Sequence, residues 1–245
     1  MAKYFESLEL EQAEKLLDVI FGVVIGLALI KLPEISKTAL KNMDQNDFLP
    51  PVLLLSALLF CAFYWLEVRY FLSAQKSFKI AISGITQYSD DTVPMPLATF
   101  LLGSLLMMTL ASGSLTFAIK GEYRAFLTAN VLFWTCDLGG TFFLKHGYRK
   151  FKSDINIIKE KDPVDHGWFL GHIISNYFYI YGLGNTVFFA ALFYVDFHWL
   201  NTDSVRLFAA FLIVAFTLFR HLLWRSRIYS WWLNKHVLHR KNSEA

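Results

Sequence analysis

Apolar runs of about the length that crosses a bilayer recur along this chain, each closed by a short polar or proline-bearing segment. A helical span needs about 20 mostly apolar residues, because the hydrocarbon core is about 30 Å thick and each residue rises about 1.5 Å. Six segments meet that length: about 15–32, 50–73, 97–119, 124–144, 168–197 and 205–224. The first is expected to stop at Pro33, and the second to start after Pro50-Pro51, since proline removes a helical donor and clashes with the preceding turn. The pattern therefore predicts an all-α integral membrane protein of about six transmembrane helices.

The connections are short. The longest, 74–95 and 145–167, are too small to bury a core of their own, so a single domain is expected, followed by a basic cytoplasmic tail over 225–245. Composition agrees. Hydrophobic residues make up 55% and charged residues 18%, against about 45–50% and about 25% in soluble domains. Aromatic residues make up 17%, which suits lipid-facing and interfacial positions. Glu6, Glu9, Glu11 and Glu14 precede the first span, where a secretory leader would be basic, so no signal peptide is expected. Cys61 and Cys136 lie in apolar runs and read as small buried hydrophobes.

Where the charges lie sets the orientation. Lys31, Lys37, Lys41, Lys120, Arg124 and Arg206 fall on one side, leaving 17 of the 23 lysines and arginines on the side of the two termini. The positive-inside bias then places both termini in the cytoplasm of a multi-pass inner (plasma) membrane protein. The net charge of +3 is mild, and no nucleic-acid partner is expected.

Ionisable residues inside spans carry the candidate chemistry, because each costs several kcal/mol unless it faces protein or water. Asp18 lies one turn into the first expected span, Glu67 and Arg69 near the cytoplasmic end of the second, Asp137 in the middle of the fourth, and Arg220 and His221 at the end of the sixth. Those near helix ends can snorkel or pair across helices. Asp137 is too deep for that, and needs a structural hydrogen bond to a neighbouring helix or a functional, wet environment. His172, Asn176, Tyr177 and Gly184-Asn185-Thr186 give the fifth span polar and small residues suited to helix packing. His166, His172, His221, His236 and His239 make no metal-binding pattern. No phosphate-binding loop or nucleophile motif occurs. Neither enzymatic activity nor a metal or cofactor is expected.

The first span reads Leu16-Leu17-Asp18-Val19-Ile20-Phe21-Gly22-Val23-Val24-Ile25-Gly26-Leu27-Ala28-Leu29-Ile30. Gly22 and Gly26 form a small-residue face for close helix contact. Val23, Leu27 and Ile30 recur at i, i+4 and i+7, one continuous apolar stripe that faces lipid, another helix, or a pore in a symmetric oligomer. This helix resembles that of the bacterial six-span members of the transmembrane protein 175 family of potassium channels, which carry an Arg-x-x-x-Phe-Ser-Asp motif followed by an apolar run. Asp18 matches the motif aspartate, and Ile20, Phe21, Val23, Ile25 and Leu27 match the run. Gln12 stands at the motif arginine, Leu16 and Leu17 at the Phe-Ser pair, and Gly26 at a threonine. The resemblance implies a symmetric homo-oligomer, a tetramer, with first helices around a central pore, a hydrophobic constriction at Val23, and a monovalent cation such as potassium as the permeant ion.

Three functions are compatible with the residues. The first is an oligomeric cation channel or pore whose lining is Val23, Leu27 and Ile30, with Asp18, Gly22, Gly26, Glu67, Asp137 and Arg220 serving helix packing and a polar network. The second is a membrane scaffold or effector subunit regulated by a cytoplasmic protein partner, which would dock on the basic stretch 145–161 and the tryptophan-bearing stretch 225–241. The third, ranked last, is a transporter or membrane-embedded enzyme using Asp137, Glu67 and the polar groups of the fifth span.

Overall fold

A computed structural model describes residues 2–42, 45–83, 97–149, 177–198 and 202–224. They form six helices and, among the described residues, no strand: α1 (Ala2–Asn42), α2 (Gln45–Ser83), α3 (Leu97–Lys120), α4 (Tyr123–Arg149), α5 (Tyr177–His198) and α6 (Asp203–Trp224). Three stretches within them, Lys15–Asn42, Asp47–Arg69 and Tyr179–His198, are long and apolar enough to cross a membrane. The stretches 168–176 and 225–245, expected as the start of the fifth span and the tail, lie outside the described residues.

Helix α2 is the centre of the packing. It lies against α1, α3 and α6, while α4 lies between α3 and α5. Aromatic contacts close the middle: Phe60 of α2 meets the edge of Phe133 of α4 with centroids 4.5 Å apart, and Tyr64 meets the same ring at 4.9 Å. Phe188 of α5 stacks on Phe216 of α6 at 3.9 Å. Such edge and offset geometries add to area burial.

The burial pattern suits lipid. Leu132, Phe142, Phe143, Val187, Phe208 and Phe219 are exposed on the outside, while Ser56, Ser114, Asn130, Asn185 and Thr217 are buried between helices. Lipid tails are as apolar as leucine, so helices in a bilayer associate through close packing of small residues and interhelical hydrogen bonds. Helix α3 shows both devices. Its buried positions Ser104, Met107, Ala111, Ser114 and Ala118 repeat every three or four residues and so form one face. Asn130 of α4 donates across this contact to Ser114 Oγ at 3.3 Å, and also to the Phe126 carbonyl at 2.9 Å.

Two expected helix ends differ. Helix α1 runs through Pro33 to Asn42, and α2 already starts at Gln45, so Pro50 and Pro51 lie inside it. The prolines each remove a helical hydrogen bond, yet tertiary contact carries the helices across them. Beyond Pro33, Ile35 packs on the core and Ala39 is buried. Lys31 pairs with Glu34 at 2.8 Å, and the Thr38 hydroxyl donates to the Glu34 carbonyl. Asn42 donates to Asp47 Oδ2 at 2.9 Å and so ties the two helices at their junction. Because α1 begins at Ala2, Asp18 lies within the helix rather than one turn from its start.

The α3–α4 turn is set by Gly121. Its N–H donates to the Ala118 carbonyl and that of Glu122 to the Phe117 carbonyl, the paired bonds of a Schellman C-cap. Gly121 has φ +70°, and a Cβ there would stand 3.0 Å from Pro50 Cγ. Gly121→Ala is therefore expected to destabilise the protein by about 1–2 kcal/mol from the left-handed backbone alone, with more from the proline contact. A thermal melt in detergent checks it, and an unchanged midpoint would contradict it.

Candidate functional site

Helix α1 is attached to the rest of the chain by one face. Leu17, Phe21, Ala28 and Ala39 are buried there, and Val24, Leu32 and Ile35 pack against the core. These residues recur at helical spacing, so the opposite face of α1 is turned away from the other described helices. That face carries Val23, 56% exposed, Leu27, 62%, and Ile30, 71%. Gly22 and Gly26 lie beside it, and among the described residues nothing stands within 4 Å of where their Cβ atoms would be. The sequence leads one to expect a neighbouring helix against these glycines. No described helix of the same chain meets them, because α1 uses its larger residues to reach α2 and α3.

Asp18 fastens α1 to α2. Its Oδ1 accepts from Trp65 Nε1 at 2.8 Å, and its Oδ2 lies 3.3 Å from Arg69 Nη2. Arg69 also stacks over the Trp65 ring, 5.1 Å from its centroid. Trp65 and Arg69 are one helical turn apart on α2, so both reach the same carboxylate. The carboxylate is thus held by a charge-assisted donor and a guanidinium, the pairing an ionised group requires when partly withdrawn from water.

A second polar cluster lies between α2, α4, α5 and α6. Arg220 of α6 is only 5% exposed, so it does not snorkel to the interface as its place near the helix end would permit. It donates through Nη1 to Asn185 Oδ1 of α5 at 3.0 Å. Its guanidinium lies 4.5 Å from the Trp134 ring centroid and 5.3 Å from that of Tyr181. A planar, weakly hydrated cation suits such aromatic walls, and ammonium does not suit them as well. One turn beyond Trp134 on α4, Asp137 turns toward α5, its Oδ2 3.7 Å from where a Gly182 Cβ would lie. The tighter neighbour of that position is Leu138 Cδ1 at 3.3 Å, so Gly182 allows α4 and α5 to approach closely here. Glu67 is half-buried on α2, and Tyr64 lies within electrostatic range of both Glu67 and Asp137. Asp137 and Arg220, far apart in sequence, thus border one interior region.

No family model, curated protein or solved structure matches this chain.

A third constellation is not evident from sequence. Asp196 near the end of α5 is 4% exposed and takes two arginines: Arg124 Nε of α4 donates to its Oδ2 at 2.6 Å, and Arg206 Nε of α6 to its Oδ1 at 2.8 Å. Arg206 also lies 3.7 Å from Asp203. In sequence, Arg124 and Arg206 count only as charges on one side of the membrane. The available signal was Asp196 itself, an acid within an apolar run whose partner had to come from another helix.

His166, His172, Asn176, His236 and His239 lie outside the described residues, as do most of 145–161 and all of 225–241.

Proposed function

We propose that this chain crosses the membrane six times with both termini in the cytoplasm, and that it assembles as a symmetric homo-oligomer, a tetramer, around α1 to form an ion pore. Val23, Leu27 and Ile30 line its narrowest part. The observation that supports this reading is the line of exposed branched residues on the α1 face opposite its own packing face, with an uncovered pair of glycines beside it. Copies of α1 brought together on that face would present a dry apolar ring. Such rings gate by dewetting, since an ion sheds hydration there and gains no ligands in return. The Asp18 clamp holds α1 to α2 below the ring and gives it a fixed base. The resemblance of the first helix supports the same arrangement.

Disulfide trapping tests the assembly. In a chain whose Cys136 is replaced by alanine, Leu27→Cys is expected to give cross-linked dimers under mild oxidation in the membrane. Phe211→Cys, exposed on α6, is expected to stay monomeric. Equal cross-linking of both, or of neither, would remove the support for an α1-lined pore.

A further inference from the structure

The α1 line does not end with its apolar part. Toward the N-terminus it passes through exposed Val19 and Leu16, and in the other direction through exposed Glu34, Lys37 and Lys41. Each step is three or four residues, so the positions stay on one face of a continuous helix. From Ile30 to Lys41 the rise is about 16 Å at 1.5 Å per residue, which carries the two lysines beyond the constriction to the mouth opposite the N-terminus. Glu34 does not balance them, because its Oε2 is paired at 2.8 Å with Lys31 of its own helix. Neither Lys37 nor Lys41 is in an ion pair among the described residues.

We propose that the ion this pore admits from its outer side is a small monovalent anion, such as chloride, rather than a cation. This rests on the α1-lined pore proposed above, and names its substrate. Each copy brings two ammonium groups to the mouth, where a converging field raises the local concentration of counter-ions and lowers that of co-ions. Rings of lysine at a pore mouth favour anions for that reason. The constriction adds to the bias. Leu16, Val19, Val23, Leu27 and Ile30 offer no oxygen to replace the water a small cation must shed. A larger, more weakly hydrated anion loses less on entering such a ring. Asp18, on the N-terminal side of the constriction, is engaged by Trp65 and Arg69 and lies off the line.

The test is the reversal potential of the full chain in planar bilayers under a potassium chloride gradient. The wild-type protein is expected to reverse on the chloride side of zero. The double variant Lys37→Glu, Lys41→Glu is expected to move the chloride-to-potassium permeability ratio at least about tenfold toward potassium. Both positions are exposed, so folding is not at stake, and the same shift in smaller degree is expected of Lys41→Gln alone. A wild-type current that favours potassium, or a ratio indifferent to the double variant, overturns the anion assignment and leaves the pore standing. The absence of current for any ion, from protein shown to be folded, overturns the pore and the assignment with it.

Discussion

Val23→Ser is expected to raise the conductance of the reconstituted protein about tenfold, the equivalent of about 1.4 kcal/mol off the barrier to ion passage. A hydroxyl from each copy would hold water in a ring that otherwise excludes it. Val23→Phe is expected to abolish the current, since it fills the same ring with a larger apolar group. Leu29→Ser is the control. Leu29 is exposed like Val23, but it lies about 120° around the helix from it at about 100° per residue. Its substitution should leave conductance near the wild-type value. Val24 is the neighbour one would choose from sequence as the tolerant position, but its side chain packs against the core. A polar residue there should lower stability rather than change the current. Equal currents from Val23→Ser, Leu29→Ser and wild type would place the Val23 face against lipid.

The second large effect is expected at Arg220. Arg220→Ala should destabilise the fold by about 3 kcal/mol, from an orphaned buried acceptor together with a large side chain removed from the interior. Asn185 Oδ1 would lose its donor, and the space against the Trp134 and Tyr181 rings would be left unfilled. Lysine should not restore the loss, because its compact ammonium cannot cover the Trp134 ring as a planar guanidinium does while donating to Asn185. Thermal melting in detergent, followed by the fluorescence of the tryptophans, reports both changes. A full recovery with lysine would show that charge alone matters at this site.

Much of the layout was legible because lipid imposes a simple rule. A run of apolar residues of spanning length must satisfy its backbone internally, and so it forms a helix. Helix ends were less legible. Pro33, Pro50 and Pro51 are strong local breakers, but Ile35, Ala39 and the Asn42–Asp47 contact outweigh them through tertiary packing. The partner of Gly22 and Gly26 was not legible for a related reason: a small-residue face permits close packing without naming what packs there. Asp18 and Arg220 were identifiable as costly residues, yet what each would meet was not. Trp65 lies 47 residues from Asp18 and Asn185 lies 35 from Arg220, and no local pattern encodes such pairings. Asp196 was missed altogether, since an acid near a helix end looks like an ordinary interfacial residue until a neighbouring helix covers it.

The two arginines on Asp196 bear on how the chain is built into the bilayer. Synthesis runs from the N-terminus, so Arg124 is in place before Asp196 is made, and Arg206 follows only ten residues later. A lone carboxylate entering hydrocarbon is costly. Asp196 near the end of α5 and Arg206 near the start of α6 form a neutral pair. In the six-span arrangement proposed above, α5 and α6 are thus suited to enter the membrane together, with the guanidinium of Arg124 as the catch against which the pair docks.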